Sequence, residues 1–157
     1  MSPKTLIIFL DFDGVMHPHP CFDANMFTQL PLIEEVLREF PSAEIVISSS
    51  WRLDSSFQEL KRLLSTDIGQ RVIGTTPFYH DPKLDHLQNR PTGYVRQWEI
   101  ERWMSENSSI EAQWVAVDDY PEWFEPNCPN LLVTSAATGF VENDKQTLRD
   151  LIMARLS

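Results

Sequence analysis

A chain of 157 residues is long enough for one domain that buries roughly 70% of its unfolded surface. A formal net charge of −10 and a pI near 4.7 argue against nonspecific binding to nucleic acid or anionic membranes, while leaving room for a local basic patch. Cys21 and Cys128 make neither a zinc spacing nor a disulfide framework, which suits a reducing cytoplasmic setting. No apolar run reaches membrane-spanning length, and the short N-terminal one lacks the cleavage site of a signal peptide.

The first predicted element is a strand over residues 5–10, an apolar run that reads as fully buried. It runs into Asp11-Phe12-Asp13-Gly14. Two carboxylates at the end of a buried strand are costly to desolvate without a partner, and a divalent cation is the obvious one. Gly14 permits a sharp turn and a close backbone approach to a ligand. The same letters occur in ordinary turns and calcium loops, so the strand before them is what gives them weight. Residues 17–30 look irregular, and His17-Pro18-His19-Pro20-Cys21 reads as a Pro-rich loop rather than a metal site.

Residues 31–39 have helical apolar spacing behind a first-turn proline. Residues 44–48 form a second strand, which ends in Ser48-Ser49-Ser50-Trp51-Arg52. Hydroxyls at a strand end can bind phosphate oxygens, cap the next helix or simply make a polar turn. Trp51 reads as a packing aromatic. Arg52 reads either as a solvated charge or as a phosphate-side contact. Residues 55–65 are an amphipathic helix carrying Phe57, Leu60, Leu63 and Leu64, 71–74 a short third strand, and 75–91 a loop or small flap.

A helix over 93–104 carries Arg96, which either pairs with a nearby acid or neutralises a phosphate while orienting an aspartate. Arg90 is the alternative for that role. The fourth strand, 113–117, ends in Asp118-Asp119. A fifth covers 131–134, and a helix over 142–156 closes the chain. Strands alternating with helices imply an α/β fold, with one parallel sheet covered on both faces. Asp11, Ser48 and Asp118 then share one sheet edge. Four carboxylates there would raise one another's pKa unless a cation sits among them. An oxygen-only donor set selects a hard ion, and Mg²⁺ is the usual one with phosphate substrates.

The order Asp11-x-Asp13-Gly, strand–Ser48, a basic residue, then strand–Asp118-Asp119 resembles the four motifs of the haloacid dehalogenase (HAD) superfamily. In finer detail, Ser-Ser-Ser-Trp-Arg, Arg-x-x-Glu-Ile-x-x-Trp, Val-Asp-Asp and a late Thr-Gly-Phe resemble the HAD domains of Swiss-army-knife RNA-repair proteins. The resemblance implies a Rossmann-like three-layer domain spanning 1–157 and a phosphatase that works through an aspartyl-phosphate. Asp11 would be the nucleophile and Asp13 the acid and base. Ser48, or Ser49 if the strand ends one residue later, would bind the phosphoryl group, and Arg96 would be the basic residue. Asp11, the Asp13 carbonyl and Asp119 would hold Mg²⁺, with Asp118 in support, although Asp118 remains the alternative direct ligand.

The intervals between these motifs are largely used by core elements, so no large cap is expected and the site should be open. Its expected rim is His17, His19, Arg52, Tyr79, His80, Lys83 and Arg90, cationic enough for a phosphorylated nucleic-acid end. The alternatives are a small-molecule phosphatase, for nucleotides among others, and a module that binds Mg²⁺ or phosphate without turnover.

Overall fold

The five consecutive apolar residues Leu6–Leu10 form β1, and every one of them is buried. The computed structural model describes residues 4–79, 93–109 and 111–157. After β1 come α1 (Leu30–Glu39), β2 (Glu44–Ile47), α2 (Phe57–Arg62), α3 (Thr66–Gly69) and β3 (Val72–Thr75). Then follow α4 (Val95–Asn107), β4 (Gln113–Asp118), β5 (Leu131–Val133) and α5 (Glu142–Leu156). The strands form one parallel sheet in the order β3-β2-β1-β4-β5.

β1 lies at the centre, and the chain winds outward from it first through β2 and β3, then through β4 and β5. Leu10 is in register with both Ile47 and Val117, so the residues that follow, Asp11, Ser48 and Asp118, emerge side by side. Such a switch point, at the carboxyl ends of the strands, opens a crevice between diverging connections.

The alternation along β1 divides the core into two layers. Leu6, Ile8 and Leu10 pack with Ile33, Val36 and Leu37 of α1 and Leu148 and Ile152 of α5. Ile7 and Phe9 face the other way, onto Ile100 and Trp103 of α4. Burying both faces is what a strand without polar alternation requires. This is the expected α/β, Rossmann-like three-layer arrangement.

The second predicted helix is shorter than 55–65. It begins after Ser56, whose hydroxyl accepts the Glu59 N–H while the Glu59 carboxylate accepts the Ser56 N–H. It stops at Arg62, because the buried Glu34 of α1 draws Ser65 out of helical bonding. The Glu34 carboxylate accepts both the Ser65 N–H at 2.8 Å and the Ser65 hydroxyl at 2.6 Å. The one-turn α3 that follows has no strong sequence signal. α4 starts two residues later than expected, after Gly93 at φ +95°. The predicted loop 75–91 is described only as far as Tyr79, and His80, Lys83 and Arg90 lie outside the described residues. Among the described residues, no helix is long and apolar enough to cross a membrane.

Candidate active site

The chain leaves β1 in a tight turn. Asp11 N–H still donates to Val117 O in the sheet, while Asp11 Oδ1 accepts the Phe12 N–H at 2.8 Å. The Val15 and Met16 N–H groups both return to Phe12 O, at 3.0 and 2.8 Å. Gly14 sits at φ +75°, and a Cβ there would collide with the Asp119 carboxylate. Only glycine meets both demands at little cost. The Thr134 hydroxyl, just past β5, donates to Gly14 O at 2.7 Å and pins the turn from two strands away.

Asp13 projects from this turn with its side chain one-third exposed. His17 Nε2 lies 2.8 Å from Asp13 Oδ1, and Trp51 Nε1 donates to Asp13 Oδ2 at 3.1 Å.

The acids of β4 enter from the neighbouring strand. Asp118 is buried. Its Oδ2 accepts from Arg96 Nη1 at 2.7 Å and its Oδ1 accepts the Tyr120 N–H at 3.0 Å. Asp119 lies over Gly14, and carboxylate oxygens of Asp11, Asp118 and Asp119 fall within 4.8 Å of one another. Burial raises the Asp118 carboxyl, Arg96 opposes that rise and the Asp11 charge adds to it. Burial, the Asp11 charge and a hydrogen bond with Asp11 push Asp119 up to about 7. Three oxygen donors that crowd one another in this way fit a hard cation better than they fit one another. The Asp13 side chain stands outside that trio, held by His17 and Trp51.

Arg96 is the cation of the cluster. Its Nη1 reaches Asp11 Oδ1 at 3.6 Å as well as Asp118, and its guanidinium carbon sits 5.3 Å from the Trp123 ring centroid. Burial disfavours its charge, but Asp118, Asp11 and Glu99 outweigh burial and raise its pKa.

Arg52 is placed differently from its expected rim position. Its side chain is 3% exposed. Nε donates to Thr76 O at 2.8 Å, Nη1 to Ser48 O at 2.9 Å and to Ser49 O at 2.8 Å, and Nη2 meets Glu99 Oε1 at 3.1 Å. Burial lowers its pKa to about 10 against the pull of Glu99, so it stays charged at neutral pH. These bonds make it a clamp on the β2 and β3 termini. His17 departs from the expected rim in the same way, being fully buried against Phe27 and Trp51.

The serines divide the local work. Ser48, the first residue past β2, is buried beside Asp11 in the register of the sheet. Ser49 Oγ accepts the Trp51 N–H at 3.2 Å and caps a 3-10 turn over Ser50–Leu53. Ser50 lines a cavity of about 310 Å³, together with Asp11, Asp13, His19, Arg96, Asp119, Tyr120, Trp123 and Ala136. Tyr120 and Trp123 meet at 4.6 Å between centroids, with their rings inclined at 58°, and both line the cavity. Neither ring, nor Thr134, stands out in the sequence as part of a site, whereas Ser50 belongs to the serine run that the sequence places at the end of β2. The Asp-Asp-Tyr-Pro string after β4 was the available signal for Tyr120. A larger cavity of about 480 Å³, lined by Glu101, Met104 and Trp114 among others, brings no acid cluster together.

Residues 7–145 match the family described as the HAD domain in Swiss Army Knife RNA repair proteins. The chain belongs to that family. No curated protein and no solved structure matches it significantly. As a HAD domain, the protein has the fold and the acidic strand-end cluster of a hydrolase that acts on phosphorylated substrates.

Proposed function

We propose that this HAD domain is a Mg²⁺-dependent phosphomonoesterase that works through a phosphorylated Asp11 and acts on the phosphorylated end of a nucleic acid. The observation that carries this reading is the convergence of Asp11, Asp13, Asp119 and Arg96 on one cavity at the carboxyl edge of the sheet. Asp11 is tethered by the Phe12 N–H through Oδ1, which leaves Oδ2 to attack phosphorus. As the phosphorus–oxygen bond breaks, protonated Asp13 gives its proton to the leaving oxygen. The resulting carboxylate then takes a proton from the water that hydrolyses the acyl phosphate, which releases inorganic phosphate and restores both aspartates.

Arg96 faces the non-bridging oxygens while its bond to Asp118 holds it in place. Ser48, at the end of β2, supplies a hydroxyl to the same group, and the Gly14 turn lets the backbone come close. Asp11, the Asp13 carbonyl and Asp119 would hold Mg²⁺, with Asp118 in support. When bound, the cation offsets repulsion between Asp11 and the anionic substrate and stabilises charge in the transition state.

The nucleic-acid end is favoured by the family description and by the aromatic side chains of Tyr120 and Trp123 that line the cavity with Arg96. His19 is exposed on the same cavity. The test is a Mg²⁺-supplemented screen of 3′- and 5′-phosphorylated oligonucleotides against mononucleotides, sugar phosphates and phosphopeptides. A higher kcat/KM on an oligonucleotide than on the matching mononucleotide, falling as salt rises, supports the reading. Better turnover of small phosphates at every salt concentration replaces it with small-molecule phosphatase activity.

A further inference from the structure

The Asp13 carboxylate is gripped by ring N–H groups from two different segments. His17, four residues along the same turn, presents Nε2 to Oδ1, and Trp51, beyond β2, presents Nε1 to Oδ2. The imidazole is itself fixed. Its Nδ1 accepts the Phe27 N–H at 3.2 Å, which assigns the ring proton to Nε2, the atom that faces Asp13. Both rings are wedged in an aromatic nest. Phe27 lies 5.2 Å from His17 and 5.5 Å from Trp51, and Phe12 lies 5.4 Å from Trp51, all between centroids. Asp13 is one-third exposed and lines the cavity.

We infer that His17 and Trp51 are a positioning pair that holds the Asp13 carboxyl toward the leaving-group oxygen and ties its position to the Ser48–Ser50 loop. The inference rests on the reading of Asp13 as acid and base. One donor on each oxygen leaves each a single remaining direction for proton exchange and fixes the carboxyl's rotation. Turning it away from the cavity would break both bonds and strand the N–H of the buried His17, and one stranded buried donor costs about 1–3 kcal/mol. Trp51 also carries the backbone N–H that Ser49 Oγ accepts. A shift of the serine loop therefore carries the indole with it, and the acid moves with the phosphate cradle. A structural core histidine would make no such demand on the chemistry, because it would affect every substrate alike.

The experiment compares Trp51→Phe, His17→Phe and His17→Gln with the unsubstituted protein on two substrates. One is p-nitrophenyl phosphate, whose leaving group needs little protonation, and the other is β-glycerophosphate, whose alkoxide needs a full proton. Trp51→Phe and His17→Phe keep the aromatic packing and remove one donor each. Each should lower kcat/KM, which reports the phosphoryl-transfer step, about tenfold on the alkyl ester and by no more than about threefold on the aryl ester. His17→Gln, whose amide N–H can replace Nε2–H, should recover most of the alkyl activity. In Asp13→Asn the Trp51 indole N–H resonance should move upfield, because the charged acceptor is gone.

Equal losses of kcat/KM on both esters, no rescue by glutamine in a folded His17→Gln, or an unmoved indole resonance would each overturn the inference. If the unsubstituted protein turns over neither ester nor any phosphorylated end, the phosphatase reading fails and this inference fails with it. Turnover with uniform losses removes the positioning pair alone.

Discussion

Replacing Asp119 by asparagine should stabilise the metal-free protein and abolish most of its response to Mg²⁺. Carboxylate oxygens of Asp11, Asp118 and Asp119 lie within 4.8 Å of one another, and Arg96 is bonded to Asp118 rather than to Asp119. Two unit charges at that distance repel by about 3.5 kcal/mol at an effective dielectric of about 20. Partial solvent access to Asp119 reduces this to about 2 kcal/mol. The effect depends on pH, and its sign follows from the raised pKa. Between the unfolded value of 3.8 and the folded value of about 7, the native state holds a proton that the unfolded chain has lost. The stability contributed by Asp119 is therefore fully present below 3.8 and is lost as pH rises through about 7.

Thermal unfolding in chelator should find Asp119→Asn more stable than the unsubstituted protein at pH 8, by about 4–8 °C at 2–4 °C per kcal/mol for a domain of this size. The gap should shrink toward zero by pH 4. With Mg²⁺ at a hundred times its Kd the unsubstituted protein should gain about 2.7 kcal/mol, and the variant little of that. A variant no more stable than the parent at pH 8 in chelator, or one with an undiminished Mg²⁺ response, would refute the account of a repulsive cluster relieved by a cation.

Asp11→Asn should fold normally and lose turnover on every phosphate ester, since an amide is a poor nucleophile; residual activity near the parent's in a steady-state assay would move the nucleophile elsewhere. Gly14→Ala places a methyl group against the Asp119 carboxylate at φ +75°, so it should cost about 1–2 kcal/mol in urea unfolding and shrink the Mg²⁺-induced rise in Tm. Arg52→Met should destabilise by about 3–5 kcal/mol by the same measurement, because it strands backbone carbonyls and leaves Glu99 short of its closer cation. If Arg52→Met instead left stability intact and raised KM alone, Arg52 would be a substrate contact and the clamp would be wrong.

The sequence by itself determined the sheet and its reactive edge. A strand buried on both faces must be apolar throughout, so β1, β2 and β4 are legible as runs. Carboxylates following β1 and ending β4 are conspicuous because burial would otherwise forbid them. Helix limits were less legible where a distant residue set them. α2 stops where it does because Glu34, on another helix, captures Ser65.

The fates of the polar side chains around the edge were decided by tertiary structure alone. His17 and Arg52 sit in loop sequence that reads as solvated, yet one is sealed in an aromatic nest and the other clamps the ends of two strands. Trp51 could be read as a packing aromatic, but not as a donor to Asp13, 38 positions away. A linear pattern reports how often a residue type is buried. It does not report which donor meets which acceptor, because that depends on where the sheet's twist and the connections bring remote segments together. The acids of this site announce themselves through their cost, whereas the groups that hold them in place are visible only once the chain has folded around them.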